Sequence, residues 1–303
     1  MMESKVSTLL ETLLRSAVTL RLSKLKLIAI LLPDKLLFNN MKTIHEYVDY
    51  WNKYVNEWSI NPIAFFQSES NYWSKFENLL RNADALPEPY YGNPRDLSAI
   101  ILTLNPYGGV NYQLQKHSSG LFISDLKADG NYDKFAKSFP YLNKYKDTNI
   151  GKWWQTRAEW ISRLSSSPKN PFAIQLCPWH SKFFDTGVLK DFSVAHVNEH
   201  VIEPAESILE YADLKIILSI GKEFEYLFAE LQFKYLEQFS TDPIVKNRSY
   251  PLGKKGIPVK RFYNVWESPS SIIYLNTFTV GTNECPRPEF YMVESNILRM
   301  LHQ

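Results

Sequence analysis

The chain reads as an α/β protein, with three α/β/α layers around a central, mostly parallel four-stranded sheet. Three observations predict this. Four short apolar runs recur, at residues 98–104, 172–177, 214–220 and 271–276. Each stops at a polar loop: Asn105-Pro106, Pro178-Trp179-His180-Ser181, Gly221-Lys222, and Thr277 onward to Asn283. Helical patterns separate the runs. Buried strands alternating with helices imply a parallel sheet covered on both faces, with every strand delivering its terminal loop to the same edge.

Taken in order, residues 1–40 form an N-terminal extension. Leu9, Leu10, Leu13, Leu14, Val18 and Leu20 fit an amphipathic helix, with a membrane-surface or partner-binding helix as the functional reading. The apolar run at 26–32 is too short to span a bilayer and has no cleavage site of the signal-peptide kind. Met41-Lys42 opens a well-patterned helix, which makes Met41 a candidate natural start and leaves the native status of residues 1–40 open. Residues 41–95 form a helical region packing on the core. Helices are expected at 42–58 and 69–83, with Tyr47, Trp51, Tyr54, Trp58, Tyr72, Trp73 and Phe76 as their aromatic faces. Pro87, Pro89 and Pro94 stiffen a loop leading into the first strand.

Residues 96–303 form the main α/β domain. The first apolar run ends at Leu104 and hands over to Asn105-Pro106-Tyr107-Gly108-Gly109. A polar side chain entering a Gly/Pro-rich loop at a strand's carboxyl end is the usual place for a site in an open α/β sheet. The two glycines permit close backbone approach, and Pro106 stiffens the turn. Residues 111–150 read as a long loop-like insertion, a length often tied to function. A helix follows at about 151–164, carrying Trp153, Trp154 and Trp160, most simply as a cover for the sheet. His196, His200 and Glu203 share a spacing found in metal sites. No further His or Cys lies nearby, so no metal is expected.

Composition bounds the function. The chain has 303 residues, 45% of them hydrophobic, enough for a sizeable core. Two cysteines, Cys177 and Cys285, are too few for a disulfide framework or a four-cysteine zinc site, and suit a reducing cytoplasm. The net charge is +2, of which +3 lies in residues 1–40, leaving −1 for the rest. Overall charge therefore gives no argument for nucleic acid. The clearest basic stretch runs from Lys246 to Arg261, with Arg248, Lys254, Lys255 and Lys260 and no acidic residue. It reads either as a solvated face or as a phosphate grip, since phosphate contacts supply most nonspecific DNA affinity.

Leu104-Asn105-Pro106 with its following glycines resembles the Gly-Ile-Asn-Pro-Gly water-activating motif of the uracil-DNA glycosylase superfamily. The closest likeness is to its mismatch-specific and thymine-DNA glycosylase branch. The lead-in Pro87-Glu88-Pro89-Tyr90-Tyr91-Gly92-Asn93-Pro94 and the segment Gly120-Leu121-Phe122-Ile123-Ser124 are similar to superfamily segments, and the likeness covers roughly residues 86–303. One departure stands out. Superfamily enzymes usually carry His-Pro-Ser or Asn-Pro-Ser after the last strand, where this chain has Thr279 to Pro288, including Asn283 and Arg287.

The resemblance implies a uracil-DNA glycosylase-like fold and hydrolysis of the N-glycosidic bond of a flipped-out uracil, thymine or modified pyrimidine. The product is an abasic site, in base-excision repair or in defence against phage with modified bases. Extrusion costs a few kcal/mol, offset by stacking and edge contacts. Asn105 is then the residue that positions water, and His180 the donor to the departing base oxygen. Tyr107 and Phe122 are candidates to stack on the base, with Gln175 and Trp179 completing its pocket. Pro106, Gly108 and Gly109 shape the loop. Lys254, Lys255, Asn283 and Arg287 contact DNA, with Arg287 between Pro286 and Pro288 as the minor-groove wedge. Expected besides are DNA as the partner, a monomer, no membrane association, no cofactor and a cytoplasmic location. Two other classes compete: a catalytically silent DNA- or nucleotide-binding relative, and a hydrolase of free nucleotides or nucleosides.

Overall fold

The computed structural model describes residues 43–68, 72–75, 82–106, 112–118, 120–180, 192–240, 261–279, 294–295 and 297–299. All of them belong to the unit Met41–Gln303. Helix α1 (Ile44–Ile60) starts at a reciprocal cap in which Thr43 and Glu46 satisfy each other's backbone N–H groups. Its stripe of Ile44, Tyr47, Trp51, Tyr54, Val55 and Trp58 is buried at helical spacing. Asn61 ends it and caps α2 (Pro62–Phe66). The helix expected at 69–83 is a short 3₁₀ turn at Tyr72–Lys75 and a turn at 82–84, the remainder lying outside the described residues.

One sheet of seven strands organises the chain. The strands are β1 (Tyr90–Tyr91), β2 (Ile100–Thr103), β3 (Phe172–Gln175), β4 (Ile217–Ile220), β5 (Lys234–Ser240), β6 (Arg261–Glu267) and β7 (Ile273–Thr279). Their order is β1-β3-β2-β4-β7-β6-β5. The four expected runs form its contiguous parallel block, β3-β2-β4-β7. The expectation of four strands was too small: β1, β6 and β5 add antiparallel edges. The reason is compositional. The described residues of β5 are exposed or half-buried, and β6 carries Asn264 and Glu267, so neither shows a continuous apolar run. Strand β1 is two tyrosines inside the proline-rich lead-in, where Gly92 adopts a φ of 102°. A Cβ there would lie 2.3 Å from the Pro171 carbonyl oxygen.

The expected loop at 111–150 is largely helical: α3 (Tyr112–Gln115), α4 (Leu121–Asp129) and α5 (Tyr132–Lys137), followed by α6 (Asn149–Ser165). Short helices capped by Asn131 and Gly130 escape a reading based on polar composition. After β3 come α7 (Val194–Val197), a π turn (Asn198–Ile202) and α8 (Glu203–Ser207). Pro204 has no N–H to give the regular helix bond, and Glu203 N–H reaches back to the Asn198 carbonyl instead. Helix α9 (Glu223–Glu230) follows β4.

Helices cover both faces of the sheet. On one, Tyr90 packs against Tyr47 of α1, and Tyr274 against Phe228 of α9 and Glu206 of α8. On the other, Tyr91 meets Trp154 of α6, while Tyr263 and Trp160 both donate to Glu294. The connection leaving β2 thus runs to the α6 face and that leaving β4 to the α9 face. Adjacent strands whose exits diverge in this way leave a crevice at their carboxyl ends. No described helix is long and apolar enough to cross a membrane.

Candidate functional site

Asn105 sits at that divergence, two residues past the end of β2. Strand β3 stays bonded beside it, with Leu176 N–H donating to the Thr103 carbonyl and Cys177 N–H to the Leu104 carbonyl, both at 2.8 Å. The loops after β2 and β3 therefore begin side by side. Asn105 is half-buried, and its Nδ2 donates to the Pro106 carbonyl at 3.1 Å. That bond fixes the orientation of the amide, with its nitrogen toward the Pro106 carbonyl. At the end of the neighbouring β4, Gly221 takes a φ of 136° and packs closely, since a Cβ there would stand 3.0 Å from both Glu223 Oε2 and the Leu104 side chain. Glu223 Oε2 is buried without a hydrogen-bond partner among the described residues.

On the α6 face, Thr103 Oγ1 donates to Gln175 Oε1 at 2.6 Å, so the Gln175 acceptor is already engaged and its amide nitrogen is the end left for a ligand. Next to this pair lies a buried polar chain that sequence reasoning missed. Gln115 Nε2 donates to the Tyr141 hydroxyl at 2.8 Å, Tyr141 donates to Glu88 Oε1 at 2.5 Å, and His180 Nε2 lies 3.0 Å from the same oxygen. Burial, with the Glu88 charge adding to it, pushes the Tyr141 phenol well above its usual range, so it keeps its proton and donates. Glu88 N–H bonds the Pro178 carbonyl at 2.8 Å, which brings the carboxylate alongside the loop carrying His180. The only signal for Glu88 in the sequence is its place between two prolines.

Several expected site residues fall elsewhere. Phe122 is fully buried, with Phe135, Tyr141 and Tyr145 rings at 5.4, 5.1 and 4.4 Å, so its ring belongs to the core and offers no face to a base. Trp179 is likewise buried, edge-on to Phe66 at 4.9 Å and to Tyr54 at 6.3 Å. Arg261, the end of the basic stretch, is buried and donates to Thr277 Oγ1 at 3.1 Å, which removes it from any phosphate surface. His180 is placed at the expected edge but only 1% exposed. Tyr107, Gly108, Gly109, Lys254, Lys255, Asn283 and Arg287 lie outside the described residues.

His196 and His200 stack on one another at 4.1 Å inside an aromatic cluster with Trp73, Phe192, Tyr50 and Trp51. Burial lowers the His200 pKa to about 3. Among the described residues no group of three or more His, Cys, Asp or Glu side chains could hold a metal. Cys177 is buried and its thiol is pushed up to about 12, which makes it a poor nucleophile. No protein-family model, no curated protein and no solved structure matches this chain.

Proposed function

We propose that the chain is a DNA N-glycosylase of uracil-DNA glycosylase type, excising a flipped-out uracil, thymine or modified pyrimidine. The observation that carries this reading is Asn105, an oriented amide at the point where the β2 and β4 exits diverge. Breaking the C1′–N bond sends its electron pair to the base and leaves a cationic sugar carbon; water oxygen then bonds to C1′, and the proton it loses ends on the departing base nitrogen. The protein's tasks are to place that water, hold the base and favour the departing charge. Asn105 suits the task of placing the water by its position past the end of β2; Gln175 Nε2 suits a pyrimidine carbonyl; His180 lies on the neighbouring loop. Whether the role is repair or defence against phage depends on which base is released.

One observation favours a second reading, a catalytically silent DNA- or nucleotide-binding relative. His180 is buried and its Nε2 is taken by Glu88, so in this arrangement it does not face an open pocket. Incubation with duplexes containing uracil, mismatched thymine or modified pyrimidines, beside the matching nucleosides, separates the readings. Free base from duplex alone supports the glycosylase. Release from nucleosides points to a nucleoside hydrolase, and binding without release to the silent relative.

A further inference from the structure

We propose that Glu88 is a positioning residue for His180, with Tyr141 as the donor that holds Glu88 in place. The proposal rests on the reading of His180 as a residue of the proposed glycosylase site. A buried carboxylate next to a buried imidazole contributes little net stability, because each charged form loses several kcal/mol of solvation that the pair only partly recovers. Its place is the informative part. Glu88 is anchored through its backbone to Pro178, and the pair stands at the carboxyl edge of β3, beside Thr103–Gln175 and the loop of Asn105.

The direction of the chain follows from its chemistry. Gln115 can only donate through Nε2, so the Tyr141 oxygen accepts and its proton goes to Glu88. Glu88 Oε1 then receives two donors, and His180 carries its proton on Nε2, which makes Nδ1 the acceptor end of the ring. In this tautomer His180 serves the proposed site as an acceptor, in place of the donor to the base oxygen that the resemblance implies. A carboxylate that holds the far nitrogen of a histidine selects one tautomer, fixes the ring plane and compensates positive charge on the ring. Three distant segments meet here: the proline-rich lead-in, the helical insertion through Gln115 and Tyr141, and the loop after β3. The insertion is thereby coupled to the site through hydrogen bonds as well as packing.

The test uses the full chain with ¹⁵N-labelled histidine, which has six imidazoles to assign, together with single-turnover base release. In the parent, the His180 nitrogen shifts should report a single tautomer protonated at Nε2. Glu88→Gln should mix the tautomers and lower the rate about 10–100-fold, the range for outer partners of a functional histidine, with duplex affinity unchanged. Glu88→Asp should restore part of both signals. Tyr141→Phe keeps the ring packing and removes one donor, so it should give a weaker version of the same change. It also serves as the readout if Glu88→Gln does not fold. Unchanged His180 shifts in these variants, or altered shifts with full base release, would overturn the assignment. A parent protein that releases no base sinks the glycosylase reading, while the nitrogen shifts still decide the role of Glu88.

Discussion

Asn105→Ala separates chemistry from folding more cleanly than any other change in this site. The side chain is half-buried and its amide bonds the carbonyl of the next residue at 3.1 Å. Removing a part-exposed hydrogen bond of this kind costs on the order of 0.5–1.5 kcal/mol. For a domain of this size that lowers the melting temperature by roughly 2–4 °C per kcal/mol. Losing a preorganised polar group that acts in the transition state costs far more, about 10²–10³ in rate or ~3–4 kcal/mol. The variant should therefore stay folded and bind DNA nearly as well as the parent while base release collapses. Single-turnover release from a duplex, run beside fluorescence anisotropy and a thermal melt, measures all three quantities. Equal rates for parent and variant would remove Asn105 from the mechanism. A melting shift large enough to account for the lost activity would refute the separation itself.

Other perturbations read the supports around the site. Thr103→Val leaves Gln175 Oε1 without its 2.6 Å donor in a buried position and should cost about 1–3 kcal/mol in a denaturant titration, whereas Thr103→Ser should recover most of it. Glu294→Ala strands the Trp160 and Tyr263 donors and should destabilise strongly, while Glu294→Gln keeps an oxygen for both and should be mild. Burial raises the Glu294 pKa above 4.5, so its contribution is intact below that value and is lost as pH rises through the raised folded pKa. Glu294→Gln should flatten stability against pH in that window. His200 behaves in the opposite sense. Its folded pKa is about 3 against 6.5 unfolded, so stability is complete above pH 6.5 and falls toward pH 3 by up to about 1.4 kcal/mol per unit. His200→Phe should remove that acid slope in thermal melts, and an unchanged slope would assign it to another group.

Local pattern alone carried the parallel centre of this protein. The runs that became β2, β3, β4 and β7 are continuous and apolar because a central strand is buried on both faces, and that demand is written residue by residue. The same holds for α1 and α6, whose apolar stripes repeat at helical spacing, and for Asn105, placed by the abrupt stop of an apolar run. Strands β5 and β6 were invisible because an exposed or one-sided strand has no such run, and β1 because two residues cannot show a period. Phe122 and Trp179 show the converse failure. An aromatic residue looks the same in sequence whether its face is open to a ligand or closed by Phe135, Tyr141 and Tyr145. Only the tertiary structure decided between those fates, and only it joined Glu88 to His180 across 92 residues of chain. Burial of apolar surface follows local periodicity, but which buried polar group finds which partner depends on how distant segments cross the same sheet edge.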